Sequence, residues 1–180
     1  MNKAFYLAIA IIAFTLSIVV MAPASIVTGL FGDAVQRNIP GLKIGATQGR
    51  IWQGSTQLQY QRLPVVTLSW KMAALPLLYG KVSTLVELTG GGLQLEMAAM
   101  ASSSGGSLDN INGTIESRFI NTVSVGYGLD LTGVFELSGI STSFDQRWLT
   151  ALKGVTNWSG GIVHIETPEQ FYSVKLPALT

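Results

Sequence analysis

The chain has 180 residues, 48% of them hydrophobic and only 12% charged, with a net charge of +1 and no cysteine. The length suits one ordinary domain, and the charge content is about half of the roughly 25% of an average soluble protein. Singly scattered Lys and Arg exclude a nucleic-acid patch, and the absence of Cys excludes disulfides, thiolate metal sites and cysteine nucleophiles.

The first element is the run AFYLAIAIIAFTLSIVVMA, Ala4 to Ala22, which no charge interrupts. At 1.5 Å per residue it makes a helix of about 28 Å, close to the roughly 30 Å hydrocarbon core of a bilayer. It shows no polar stripe, as a helix on a soluble core would. Ala22-Pro23-Ala24 resembles a signal-peptide cleavage site, but the run is longer than a secretory hydrophobic region of about 7–15 residues. An uncleaved anchor over 1–23 is therefore favoured over a cleaved signal. Lys3 on the short side places the amino terminus in the cytoplasm and the rest of the chain across the membrane.

Residues 24–41 read as a membrane-proximal helix and linker. Ile26, Val27, Leu30, Phe31, Ala34 and Val35 form one apolar stripe, and Pro40-Gly41 stops it. From Leu42 the period changes to two. Leu58 and Tyr60 oppose Gln57, Gln59 and Gln61; Val66, Leu68 and Trp70 oppose Thr67, Ser69 and Lys71. The same alternation runs through Val82 to Leu88, Leu93 to Met97, Ile111 to Ile115, and Leu129 to Leu137. One apolar face per strand points to an antiparallel sheet packed on one side. Met72 to Gly80 is expected as a short helical turn, because Pro76 prevents a long helix. Ala101 to Ser107, ASSSGGS, is expected as a mobile loop. Phe144, Trp148, Leu149 and Leu152 fall at helical spacing, with Ser143 and Gln146 as a capping box and Gly154 as the stop. That helix would lie across the apolar side of the sheet. The fold class is thus mainly β: an N-terminal transmembrane helix, then a twisted antiparallel sheet domain over 42–180 with one or two packed helices.

Two related stretches stand out, GRIWQG at Gly49 to Gly54 and GVTNWSGG at Gly154 to Gly161. In each, a Trp is followed two residues on by Gly. Gly49 and Gly54 allow a tight turn or bulge, and Trp52 covers the apolar area left there. Gly154, Trp158 and Gly160 would do the same in a second unit. The residues singled out are Gly49, Trp52, Gly54, Trp70, Phe144, Trp148, Trp158 and Gly160. For the tryptophans, packing in the core is favoured over contact with a partner.

No catalytic, cofactor or metal site is legible. His164 is the one histidine, and a metal site needs further ligands. No clustered Asp loop for Ca²⁺, no G-x-S-x-G and no P-loop or dinucleotide fingerprint occurs. No small-molecule substrate and no nucleic acid is expected.

The order of parts carries a resemblance. A hydrophobic anchor is followed by GRIWQGSTQLQY, LSWKMAALPLLYGKVSTLVEL, glycine-punctuated amphipathic strands and VTNWSGGIVHI. This order resembles the type II secretion system protein N family over nearly the whole chain. Family members are generally longer, so the chain is expected to be a short or truncated member. The resemblance implies an inner-membrane protein with a periplasmic β-rich domain. It would be an accessory to the machine that exports folded proteins, with other secretion-system proteins and the inner-membrane lipid bilayer as partners. The alternative is an envelope lipid-binding or lipid-transfer protein whose sheet forms an open apolar groove. The two part on whether the helix carrying Phe144 and Trp148 closes that face.

Overall fold

The computed structural model describes residues 3–145, 148–166 and 170–179. The first helix, α1, is Lys3–Met21, 19 residues without a glycine or proline to interrupt it. Its described apolar side chains are exposed. Among the described residues no helix meets the length and apolarity that mark a membrane crossing. Pro23 separates α1 from α2, Ser25–Asn38, since a proline ring clashes with a continuing helix. The link runs beside residues 49–51: the Ala24 N–H donates to the Gly49 carbonyl and the Ile51 N–H to the Ala22 carbonyl, both at 3.0 Å. Ala24 is fully buried there.

The sheets follow. β1 is Leu42–Arg50, β2 Gln53–Tyr60 and β3 Val66–Ala73; a 3-10 helix, Leu75–Tyr79, leads into β4, Val82–Gly90. β5 is Leu93–Ser102 and β6 Gly105–Glu116. After α3, Ser117–Ser124, and a turn of 3-10 helix come β7, Leu129–Leu131, β8, Val134–Asp145, and β9, Trp148–Trp158. β10, Gly161–Glu166, and β11, Phe171–Leu176, complete the chain. The larger sheet has the order β1-β2-β3-β4-β5-β6-β8-β9 and the smaller one β11-β10-β7. Every pairing is antiparallel.

Paired residues share a face, so the register assigns the faces. Leu68 pairs with Leu88, and Leu88 with Leu95. Trp70 pairs with Val86, and Val86 with Met97. Ile115 pairs with Phe135, and Phe135 with Trp158. The opposite face carries rows such as Ser69, Glu87, Glu96 and Asn112. The period-two reading thus holds for the long strands, whereas Leu129 to Leu137, read as one run, divides between β7 of the smaller sheet and β8 of the larger one.

The apolar face is only partly covered. α2 lies against β1, and α3 against β6 and β7. Among the described residues the buried hydrophobic side chains are Ala24, Val66, Leu95 and Trp158, and no large side chain is fully buried. The accessible surface is 12575 Å², against about 8,400 Å² for a compact chain of this mass.

Two expectations are corrected. The helix predicted through Phe144, Trp148, Leu149 and Leu152 is instead the β8–β9 hairpin, with Phe144 opposite Leu149 and Asp145 opposite Trp148. Gln146 of the supposed capping box lies outside the described residues. Helical spacing arose by coincidence: a register shift between Ser143 and Phe144 adds one residue and returns Leu149 and Leu152 to the face of Phe144. The ASSSGGS loop is also mostly strand. β5 runs through Ser102 and β6 starts at Gly105. Gly106 packs under the Phe144 ring, where a Cβ would come within 2.6 Å. Those glycines serve close approach between strands rather than mobility.

Candidate functional site

The GRIWQG stretch forms the β1–β2 hairpin. Gly49 pairs with Gly54 and Arg50 with Gln53, leaving Ile51 and Trp52 as the turn. Gly49 holds φ +90°, and a Cβ there would meet the Gln53 carbonyl oxygen at 2.6 Å. A side chain is therefore excluded by both conformation and space. Gly54 sits beneath a neighbour: a Cβ would come 2.7 Å from Cζ2 of Trp70, its partner on β3. Glycine on one strand gives the aromatic on the next a flat seat.

Three indoles then close onto backbone carbonyls. Trp70 Nε1 donates to the Ile51 carbonyl at 2.9 Å, and Trp52 Nε1 to the Val19 carbonyl at 3.0 Å. Val19 lies in the last turn of α1, where carbonyls lack helical partners. The Met72 N–H donates to the Trp52 carbonyl at 2.7 Å, so β3 is tied to the turn as well. In the second stretch Trp158 Nε1 donates to the Thr132 carbonyl at 3.1 Å. Its ring stacks on Phe135, centroids 5.8 Å apart and planes 11° from parallel. Trp158 is buried; Trp52 and Trp70 are half-buried. Gly160 lets the returning tail pass close, and Trp158 exchanges both backbone hydrogen bonds with Leu179, at 2.7 and 3.0 Å.

An open depression of about 1360 Å³ spans β1 to β6 beside this end of the sheet. Val20, Trp52, Trp70, Lys71 and Glu87 are among the residues that line it. Glu87 and Glu96 stand directly opposite each other, both exposed. Among the described residues no group of three or more potential ligands is placed to hold a metal ion.

The outer strand of the large sheet is β9. Beyond β8 its pairing among the described residues is the Trp158–Leu179 bridge at its very end. Residues 148–156 are all exposed, Trp148 at 80%, Leu152 at 65% and Leu149 at 63%. Phe144 is exposed beside them. Phe144 and Trp148 therefore stand apart from the other singled-out residues, at the free edge.

The register also sets Asp130, His164 and Ser173 in one row across the small sheet. The row is not wired as a relay. Asp130 is engaged by the Asn121 amide, His164 Nδ1 is buried without a hydrogen-bond partner, and the imidazole stacks on Phe171 at 5.3 Å. Asn121 also donates to the Leu131 carbonyl at 2.7 Å and accepts from the Leu131 N–H at 2.9 Å, clamping α3 to β7. Nothing in the periodicity pointed to Asn121; its only signal was a short polar residue within the brief amphipathic stretch Phe119, Ile120, Val123.

A family model, type II secretion system protein N, matches residues 40–175, well over half of the chain. The chain belongs to the type II secretion system protein N family. It is accordingly a component of the type II secretion machinery. The family region begins just ahead of β1 and ends within β11, so it comprises the two sheets with α3 and leaves α1 and α2 outside. All eight singled-out residues fall inside it. No curated protein and no solved structure matches the chain.

Proposed function

We propose that this family member is a tethered scaffold of the secretion machine, with an interaction role rather than an enzymatic one. α1 holds it in the inner membrane with the amino terminus in the cytoplasm. The two sheets stand in the periplasm, and β9 takes up a strand from another secretion-system protein.

Support for the anchor is physical. Nineteen helical residues give about 28 Å, within the range of spanning helices. Apolar side chains point outward all round, among them Phe5, Leu7, Ile9, Ile12 and Phe14. Among the described residues none buries them.

The observation that carries the scaffold reading is the free β9 edge. The strand is eleven residues long, and its first nine residues are exposed and largely apolar. Such an edge is a template for strand addition, in which main-chain hydrogen bonds supply affinity and alternate side chains supply selectivity. Lys153 is the single charge on it, which favours a partner strand with a carboxylate opposite. The test is a photoreactive residue at Thr150 in secreting cells, together with the double variant Leu152→Asp, Val155→Asp. Adducts to other secretion components, and lost secretion at unchanged protein level and melting temperature, are the expected results. Normal secretion by the double variant without any adduct would sink the reading.

One observation favours the lipid alternative. The helix that was to close the apolar face is a hairpin, so that element does not seal it. Native mass spectrometry of detergent-extracted protein separates the two readings: co-bound phospholipid supports the groove, and its absence supports the scaffold.

A further inference from the structure

The end of the large sheet nearest α1 carries a feature that neither reading uses. The 3-10 helix between β3 and β4 has the sequence LPLLY. Tyr79 is 81% exposed, Leu75 74% and Leu77 37%. Pro76 and the short length preclude a full amphipathic helix that would fold these residues back on the sheet. The left-handed Gly80 caps the turn, receiving no cover from elsewhere: a Cβ there would meet nothing within 4 Å.

The register fixes where this tip points. Ala22 lies beside Ile51 and Ala24 beside Gly49, so α1 leaves the sheet in the direction in which β1 runs, past the β1–β2 turn. β3 runs the same way. Its Lys71 stands opposite Gln53, the first residue after that turn, and the strand continues through Met72 to Ala73. β3 thus runs beside the turn, where the Met72 N–H meets the Trp52 carbonyl, and ends two strand residues, about 7 Å, past the level of Gln53, where the 3-10 helix follows. Trp52, in the turn itself, is bonded to the Val19 carbonyl of α1. The exposed Leu and Tyr side chains therefore stand alongside or beyond the last turn of α1.

Charge agrees with the placement. From Lys71 to Lys81 the sequence is KMAALPLLYGK, with a lysine at each end and no acidic residue between. Both lysines are exposed. An apolar tip bracketed by cations matches a bilayer surface, where the apolar side chains enter the acyl boundary and the ammonium groups meet anionic headgroups. Tyr79 and Trp52 supply the amphipathic rings that settle at headgroup depth.

We infer that the Leu75–Tyr79 tip is a second membrane contact, which dips into the anionic leaflet from which α1 emerges and fixes the tilt of the sheet relative to the membrane. The inference rests on α1 being an anchor, and the experiment separates the two. The natural sequence has no cysteine, so single cysteines at Ile11, Tyr79 and Arg62 can each carry a nitrobenzoxadiazole label. Arg62 lies in the β2–β3 loop, at the opposite end of the sheet. The full chain is reconstituted in vesicles of phosphatidylethanolamine and phosphatidylglycerol, with doxyl-labelled lipid or aqueous iodide as quencher. Labels at positions 11 and 79 should be quenched by the lipid and shielded from iodide, with the reverse at 62. Replacing phosphatidylglycerol by phosphatidylcholine should weaken lipid quenching at 79 alone. A label at 79 that behaves as at 62, while 11 stays in lipid, overturns the second contact and leaves the anchor standing. Shielding from iodide without lipid quenching at 79 overturns it in favour of cover by protein, from this chain or a second copy. A label at 11 that iodide reaches overturns the anchor, and the second contact with it.

Discussion

Trp158 and Trp148 bear the same side chain on one strand and do opposite work, because burial differs between them. Trp158 is 7% exposed, stacked on Phe135 and hydrogen-bonded to Thr132. Its replacement by Ala removes a large contact area and leaves a cavity, a loss of about 3–5 kcal/mol. Trp148 is 80% exposed, and Trp148→Ala should stay within about 0.5 kcal/mol of the parent. Urea titration of the two variants checks the contrast; equal destabilisation would contradict the burial assignment. The sequence made the Gly and Trp residues conspicuous, and the glycine at position 49 does serve a tight turn. What it left out was the hydrogen-bonding half of each brace. A carbonyl acceptor at Val19, Ile51 or Thr132 has no side-chain signature, since every residue type carries one. The two Trp-Gly stretches are also unlike in detail: Trp52 lies in a turn, whereas Trp158 ends a strand.

Among the elements, α3 and β7 are short and depend on each other. Three residues of β7 make few ladder bonds, and eight residues of α3 are too few to be stable alone. Asn121 joins them by satisfying both the N–H and the carbonyl of Leu131. Asn121→Ala leaves those groups half-buried and unpaired, at a cost of about 1–3 kcal/mol. Hydrogen exchange should report the loss first as faster exchange at the Leu131 amide, with β2 to β5 unchanged. Strand alternation made the long strands legible, because each buries one face only. α3 carries no periodic signal, because two turns are too short for a period to emerge. The β8–β9 hairpin mimics a helix in sequence, because a one-residue register shift places Phe144, Leu149 and Leu152 on one face at a spacing that a helix also produces.

At the scale of the whole molecule, the chain exposes far more surface than its mass requires, the outward side chains of α1 included. Unfolding would newly expose about a fifth less area than for a compact domain of equal size. The urea m-value, which follows that area, should be lower by a similar fraction; a value typical of a compact domain would mean that α1 and the apolar face are covered in solution. The order of strands in the large sheet carries a different consequence, for how the molecule is made. β1 to β6 follow one another in space as they do in sequence, and only β8 reaches past the intervening α3 and β7 to find β6. Each new strand docks on the one synthesised just before it, so loop closure stays short and cheap. A chain delivered from its amino terminus can assemble hairpin by hairpin as it arrives, with every fresh strand acting as the growing end until its successor appears. β9 is the strand at which that growth stops.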